Sequence, residues 1–323
     1  MRQEVMSHYG ITREFRDAGF YETDKHQQIL RELKSAVKQG KFITMAGIVG
    51  CGKTTTLHRL QEQLQAEGNI LVARSLSVDK QGVTLNTLMV ALFADLVTEK
   101  DPEVPTRPEK RERALRELIK RRKKPVALFI DEAHDLKRDT IVELKRLMEL
   151  VRGGDGILSV VLAGHPKLNN ELRRATNEEI GNRATLFSLD NVHGANREYI
   201  HWLLEQCGKA GTEVQSLFED EAIDLMAERL STPLQIVQHL TLALEAAFEI
   251  GGRPVTTKVV ESVLAKDINE LEATLTRHGY GTKAVAELLS ISPAVARRLV
   301  RGLLPAGRTL ELQAQMMKAG MPL

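Results

Sequence analysis

The sequence predicts an α/β protein, a five-stranded parallel sheet covered by helices on both sides, with a run of helices after it. Three observations carry this reading. Apolar runs of strand length recur at residues 42–46, 70–76, 126–130, 157–163 and 184–190, with helical apolar spacing between them. Strands buried on both faces of a parallel sheet read this way. The first run opens into a glycine-studded turn that leads into a helical pattern, and after Asp190 only helical spacing remains. The chain accordingly divides into an α/β domain at 1–190, an all-helical lid at 191–265 and a basic helical segment at 266–323.

Residues 1–22 are mixed and carry Tyr9, Phe15, Phe20 and Tyr21. These aromatic side chains either wall the ring of a ligand or pack the segment onto the core; both readings are open. Thr23 or Asp24 caps a helix to about Gln39, with Ile29, Leu30, Leu33 and Val37 on one face.

The first strand then meets GIVGCGKTT, comprising Gly47, Ile48, Val49, Gly50, Cys51, Gly52, Lys53, Thr54 and Thr55. This is the full spacing of a phosphate-binding loop. Its glycines let the backbone turn so that N–H groups point inward at a polyphosphate. The following helix adds the positive end of its dipole. Lys53 is expected to reach the β- and γ-phosphates of ATP, and Thr54 to hold Mg2+. Cys51 is expected to be a small filler.

A helix follows to about Ala66, ended by Gly68, and another runs from Thr84 to about Thr98 with Leu85, Leu88, Met89, Leu92 and Leu96 as its stripe. Residues 107–124 hold ten basic and three acidic side chains, either a solvated helix face or a nucleic-acid surface. The third strand runs into Asp131 and Glu132. A carboxylate at the C-terminal end of a buried strand can accept from magnesium-bound water, and Glu132 can polarise the attacking water. The sequence Asp-Glu-Ala-His invites a helicase reading. Fewer than 200 residues follow Asp131, and the next strand ends in Ala-Gly-His, so a helicase is not expected.

The C-terminal segment from 271 has seven Lys or Arg against three Glu. Within it, residues 282–302 read as helix, turn, helix, with Thr282 capping the first helix and Ser292-Pro293 starting the second. Ala286, Leu289, Ile291 and Leu299 fall where a helix-turn-helix needs small and apolar contacts. Arg297, Arg298 and Arg301 would face phosphates or base edges. Ser290 stands at the turn position where glycine is usual. A helical tail that docks on a partner protein is the alternative.

Composition bounds the function classes. Of 323 residues, 27% are charged and 42% hydrophobic, as in soluble globular chains. No apolar run approaches the ~20 residues that span a bilayer. Cys51 and Cys207 are too few for a disulfide framework or zinc site, and the first ten residues lack a signal-peptide core. A cytoplasmic protein with no membrane association is expected. Net charge is only +2, so nucleic-acid affinity must come from local patches.

GIVGCGKTT, LFIDEAH, VVLAGHPKL and the helical region after them resemble the AAA+ ATPases of the ExeA/TniB/TnsC group, with MuB and IstB as more distant relatives. The resemblance covers about residues 8–265. It implies a nucleotide sensor after the fourth strand, which falls on His165. It also implies an arginine finger acting on a neighbouring subunit's site, for which Arg183 is the candidate ahead of Arg173 and Arg174. The lid arginine of ExeA-like secretion ATPases has no counterpart in Ser231-Thr232-Pro233-Leu234-Gln235.

The expected protein is therefore an ATP- and Mg2+-dependent homo-oligomer, a ring or filament, on duplex DNA. It would bind with little sequence preference, select target DNA, and recruit a transposase, with a target-selection adaptor as a further partner. Lys80 joins the tail arginines as a candidate DNA contact. A secretion-system assembly ATPase and a sequence-specific initiator or regulator are the alternatives.

Overall fold

Alternation of side chains along three central strands sets the layers of the protein. The computed structural model describes residues 1–75, 82–99, 101, 103–172, 184–189, 196–264 and 270–323. A short helix α1 (Gln3–Tyr9) and α2 (Asp24–Lys38) precede β1 (Phe42–Ala46) and α3 (Lys53–Glu67). Next come β2 (Leu71–Arg74), α4 (Leu85–Leu96), α5 (Pro108–Arg122), β3 (Val126–Ile130) and α6 (Arg138–Arg152). The α/β part ends with β4 (Leu158–Gly164), α7 (Pro166–Leu172) and β5 (Ala184–Ser188).

Every residue of β1, β3 and β4 is buried. Ile43, Met45, Ala127, Phe129, Val161 and Ala163 point into one core with α2 and α3. Phe42, Val126, Leu128, Ile130, Leu158, Val160 and Leu162 point into the opposite core with α4, α5 and α6. The period of two along each strand thus supplies both cores. Leu60 and Leu64 on α3 are fully buried, each contributing on the order of 2 kcal/mol relative to exposure.

The five strands are parallel in the order β2-β3-β4-β1-β5. Their register pairs Ala46 with Gly164 and Ile130 with Leu162. The loops after β1, β3 and β4 therefore leave the sheet at one edge, the C-terminal edge where open α/β sheets bind ligands.

Helix boundaries follow local signals. The Thr23 hydroxyl accepts from His26 N–H at the start of α2, and Thr84 does the same for Thr87 at the start of α4. Gly68, left-handed at φ 64°, ends α3. The second strand is shorter than expected, ending at Arg74.

The lid consists of α8 (Asn196–Cys207), α9 (Asp220–Arg229), α10 (Pro233–Glu249) and α11 (Thr257–Val263). Its core includes Leu203, Phe218, Ile223, Ile236, Leu240 and Leu244, together with Val5, Tyr9, Ile11 and Phe15 from the N-terminal segment. That segment packs into the lid because α1 presents Val5 and Tyr9 on one face. The Tyr9 hydroxyl, moreover, donates to the Gly252 carbonyl at 2.6 Å.

A separate core of Leu275, Tyr280, Val285, Leu289, Leu299, Leu312 and Met316 holds the C-terminal unit. Its helices are α12 (Leu271–Arg277), α13 (Thr282–Leu288), α14 (Pro293–Val300) and α15 (Ala306–Lys318). α13, a turn and α14 occupy the span read as helix-turn-helix, and Ser292 caps α14 by accepting from Val295 N–H at 3.3 Å. Thr282 does not cap α13. It is already helical, and Gly281 takes the cap position with no side-chain bond.

Ser290 in the intervening turn sits at φ 52°, a left-handed conformation that costs a non-glycine residue roughly 1–2 kcal/mol. Glycine's extra freedom in the unfolded chain returns part of that gain, roughly 0.5–1 kcal/mol. Ser290→Gly is expected to raise stability by about 0.5 kcal/mol, read as a higher denaturant midpoint at unchanged slope. A lower midpoint would mean that the serine side chain itself holds the turn.

Candidate nucleotide-binding site

The phosphate loop closes on itself through its lysine. Lys53 is buried, and its ammonium donates to the carbonyls of Gly47 at 3.0 Å and Ile48 at 3.1 Å. Gly50 and Gly52 hold φ of 81° and 93°, which only glycine takes without strain. Cys51 is buried and packs against Gly47, the filler role expected of it. The N–H groups of Gly47, Val49 and Cys51 are bonded to the Gly164, Arg277 and Ile48 carbonyls, and the loop leads into the N-terminus of α3, the natural seat of an anion.

Two acidic residues face this loop. Asp131 Oδ2 accepts from the Thr54 hydroxyl at 2.8 Å, while its Oδ1 accepts from Glu132 N–H at 2.9 Å. Both Thr54 and Asp131 offer hard oxygen donors side by side, the donor set that suits Mg2+. Bound there, the ion would neutralise charge on phosphate oxygens. Glu132 takes a left-handed backbone at φ 52°, a strain tolerated where surrounding structure fixes it. Its half-exposed carboxylate lines the cleft.

His165 follows β4 and lies half-buried in the same cleft. Its ring stacks on His134, with centroids 3.7 Å apart and planes 20° apart. His134 Nδ1 in turn lies 3.4 Å from Glu132 Oε2. Burial, reinforced by His134, Lys53, Lys167 and His278, pushes the His165 pKa down to about 4, so the ring is neutral at pH 7. The donor atoms of Glu132, His134 and His165 all lie within 4.8 Å of one another. Near-parallel stacked rings cannot aim both in-plane lone pairs at one ion, so this trio is not arranged as a chelate.

The cleft holds about 400 Å³, the size of a small-molecule site. Its far wall combines Phe15, Arg16 and Gly19 with Tyr199, Pro233, Leu234 and Val237 from the lid. Of the four N-terminal aromatics, Phe15 lines the cleft. Tyr9 packs in the lid core, Tyr21 lies against Tyr199 and Trp202, and Phe20 lies under the Arg59 guanidinium. Leu234 occupies the place where secretion-type relatives are expected to carry an arginine, and its N–H reaches the Gly50 carbonyl at 3.4 Å.

The structure thus brings together Gly47 through Thr55, Asp131, Glu132 and His165. Arg183, Arg173, Arg174 and Lys80 lie outside the described residues. Arg297, Arg298 and Arg301 are exposed on or just beyond α14 and do not line the cleft. Arg298 donates to the Leu303 carbonyl at 3.0 Å, and Arg301 lies 3.9 Å from Glu272. Sequence reasoning missed His134 and Arg16. The Asp-Glu-Ala-His string was a signal for the first, whereas nothing local marks the second.

Residues 35–172 match the family described as an AAA domain. The chain is 27% identical over 243 residues to the General secretion pathway protein A of Aeromonas hydrophila, which covers 73% of this chain and 42% of that protein. The chain therefore spans less than half the length of this relative. Among solved structures, Cdc6p from Pyrobaculum aerophilum superposes at a TM-score of 0.52 and 17% identity, covering 96% of this chain and 91% of that one. A chain of Drosophila ORC bound to DNA superposes at 0.52 and 16% identity, covering 97% and 83%. These likenesses and the parallel five-stranded sheet show an α/β P-loop NTPase fold, similar to that of AAA+ proteins. Among the described residues, no helix is long and apolar enough to cross a membrane.

The depressed His165 pKa has a consequence for stability. Between about 4 and the ordinary value near 6.5 the unfolded chain binds a proton that the folded site refuses. Its contribution is thus complete above pH 6.5 and is lost as pH falls toward 4. His165→Asn should flatten the stability profile in that window, measured by denaturant unfolding at successive pH values. An unchanged profile would refute the assignment.

Proposed function

We propose that this chain is an ATP- and Mg2+-dependent ATPase that assembles on duplex DNA as a ring or filament, marks target DNA and recruits or activates a transposase. The observation that carries the ATPase reading is the convergence of Lys53, Thr54, Asp131 and Glu132 on one cleft, with Thr54 bonded to Asp131 at 2.8 Å. Lys53 and the loop N–H groups hold the phosphates, and Thr54 and Asp131 hold the metal. Glu132 orients and polarises the attacking water, and His165 senses the γ-phosphate as a neutral hydrogen-bonding ring. Arg183 is assigned to the site of the neighbouring subunit, where it would stabilise charge on the transferred phosphoryl group. Hydrolysis would dismantle the assembly.

The DNA role rests on the ExeA/TniB/TnsC resemblance and on the basic C-terminal unit. Arg297, Arg298 and Arg301 on or just beyond α14 are the proposed duplex contacts, with Lys80 as a further one. A target-selection adaptor is a proposed additional partner. A second reading, a sequence-specific initiator or regulator, is favoured by the helix-turn-helix arrangement of α13 and α14. A third, the assembly ATPase of a secretion system, draws support from the likeness to the Aeromonas protein.

Electron microscopy of Glu132→Gln with ATP separates these. That substitution should keep nucleotide binding and stall hydrolysis. Coating of random-sequence duplex by rings or filaments supports target marking, and binding confined to one sequence supports the initiator. Particles that ignore DNA in every state support the secretion reading.

Arg183→Ala should cut kcat by about a thousandfold or more while the single chain still binds ATP. Parallel loss of binding would remove Arg183 from the neighbour's site.

A further inference from the structure

The C-terminal unit is built against the catalytic loops. The loop between α12 and α13 passes over both of them. Val49 N–H, in the phosphate loop, donates to the Arg277 carbonyl at 3.1 Å, and Lys167 N–H, just after the sensor, donates to the His278 carbonyl at 3.3 Å. Asn170 on α7 adds bonds to the Tyr280 hydroxyl at 2.5 Å and the Gly320 carbonyl at 2.6 Å. Between these contacts lies Gly279. A Cβ there would stand 2.8 Å from His165 Cβ and 2.7 Å from its Nδ1. The glycine backbone is therefore pressed directly on the sensor ring, at a φ of 88° that a side chain would also strain.

From His165 the contact continues through stacking to His134, and from His134 Nδ1 to the Glu132 carboxylate at 3.4 Å. Neither Nδ1 atom has a hydrogen-bond partner, and both are shielded from solvent. Glu132 is the one member on strained backbone, and His134 stands 3.4 Å from its carboxylate. We propose that His134 is a positioning residue for Glu132, and that the docked C-terminal unit sets its place by pressing Gly279 onto the His165–His134 stack. The docked unit favours hydrolysis, because the His134 ring 3.4 Å from the Glu132 carboxylate limits the directions that carboxylate can take, and a preorganised carboxylate meets water without reorganisation. Docking is also separable. The C-terminal unit has its own core, and a cleft of about 390 Å³ of mixed lining, with Lys167, Asn170, Tyr280, Leu288 and Lys318 among its walls, remains along its seam with α7. A ligand that drew the unit away would slow turnover.

This inference rests on the ATPase reading above, and the experiment keeps the two apart. Steady-state hydrolysis and nucleotide binding are measured on the full chain carrying His134→Ala, His134→Gln, Asn170→Ala, Gly279→Ala and Lys53→Ala. Amide hydrogen exchange at Val49 and Lys167 reports docking, and circular dichroism reports folding. His134→Ala is expected to lower kcat by about tenfold or more with KM within about twofold, and His134→Gln, which keeps an N–H donor, to recover part of the loss. Whichever of Asn170→Ala and Gly279→Ala speeds exchange should lower kcat in folded protein, and should add nothing in the His134→Ala background. Independent multiplication of the two effects, a change confined to KM, or higher kcat on undocking would overturn the proposal. So would faster exchange at unchanged kcat, or slow exchange in both docking variants. No hydrolysis by the parent chain, or full activity of Lys53→Ala, rejects the ATPase reading instead.

Discussion

The hydrogen bond from Gly47 N–H to the Gly164 carbonyl, 3.1 Å long, is the joint on which the site depends. It extends the β1–β4 ladder past Ala46, so the phosphate loop begins in register with the end of β4. A one-residue slip would invert the alternation that feeds both cores and move Lys53 relative to Asp131. Stability and function are tied here through the same ladder. Substitutions in Ile43, Met45 or Val161 should act on catalysis through alignment even though none touches the cleft.

What was legible in the sequence was local. Eight residues from Gly47 to Thr54 specify a loop through their own φ values and spacing, so they could be read without knowing the rest of the fold. The strand assignments were legible because burial on both faces leaves uninterrupted apolar runs at 42–46, 126–130 and 157–163. Thr23 and Ser292 were legible as caps because a cap bonds three residues along the chain. Thr282 misled because Gly281 leaves the cap position without a side chain, and a neighbouring threonine is the visible candidate.

The rest depended on distant chain segments meeting. His134 and His165 are separated by a helix and a strand, and their stacking follows from the β3–β4 register rather than from either motif. Phe15 and Arg16 enter the cleft because α1 is absorbed by the lid core. The basic run at 107–124 shows the same limit. Arg122 bonds the Leu96 carbonyl and Asp101, Arg111 bonds the Pro105 and Thr106 carbonyls, and Lys124 bonds the Gly68 carbonyl. Several of the cations that suggested a nucleic-acid surface are thus tying α5 to its own domain, and a charge count cannot distinguish the two uses.

The lid raises a different constraint. Pro233 and Thr232 start α10 directly over Gly50, whose Cβ would meet Leu234 Cβ at 2.6 Å. That close approach joins the lid to the phosphate loop through backbone and an apolar side chain, where an arginine would join it through the nucleotide's charge. A leucine has no differential interaction with the γ-phosphate before and after hydrolysis, so it cannot bias the lid between those states. Any response to hydrolysis within one chain must then pass through groups at the phosphate end of the cleft, and Val49 and His165 both meet the C-terminal unit there. The apolar lid contact at Leu234 and the close approach of Gly279 to His165 therefore differ in kind, and only the second brings a polar ring of the cleft against another unit.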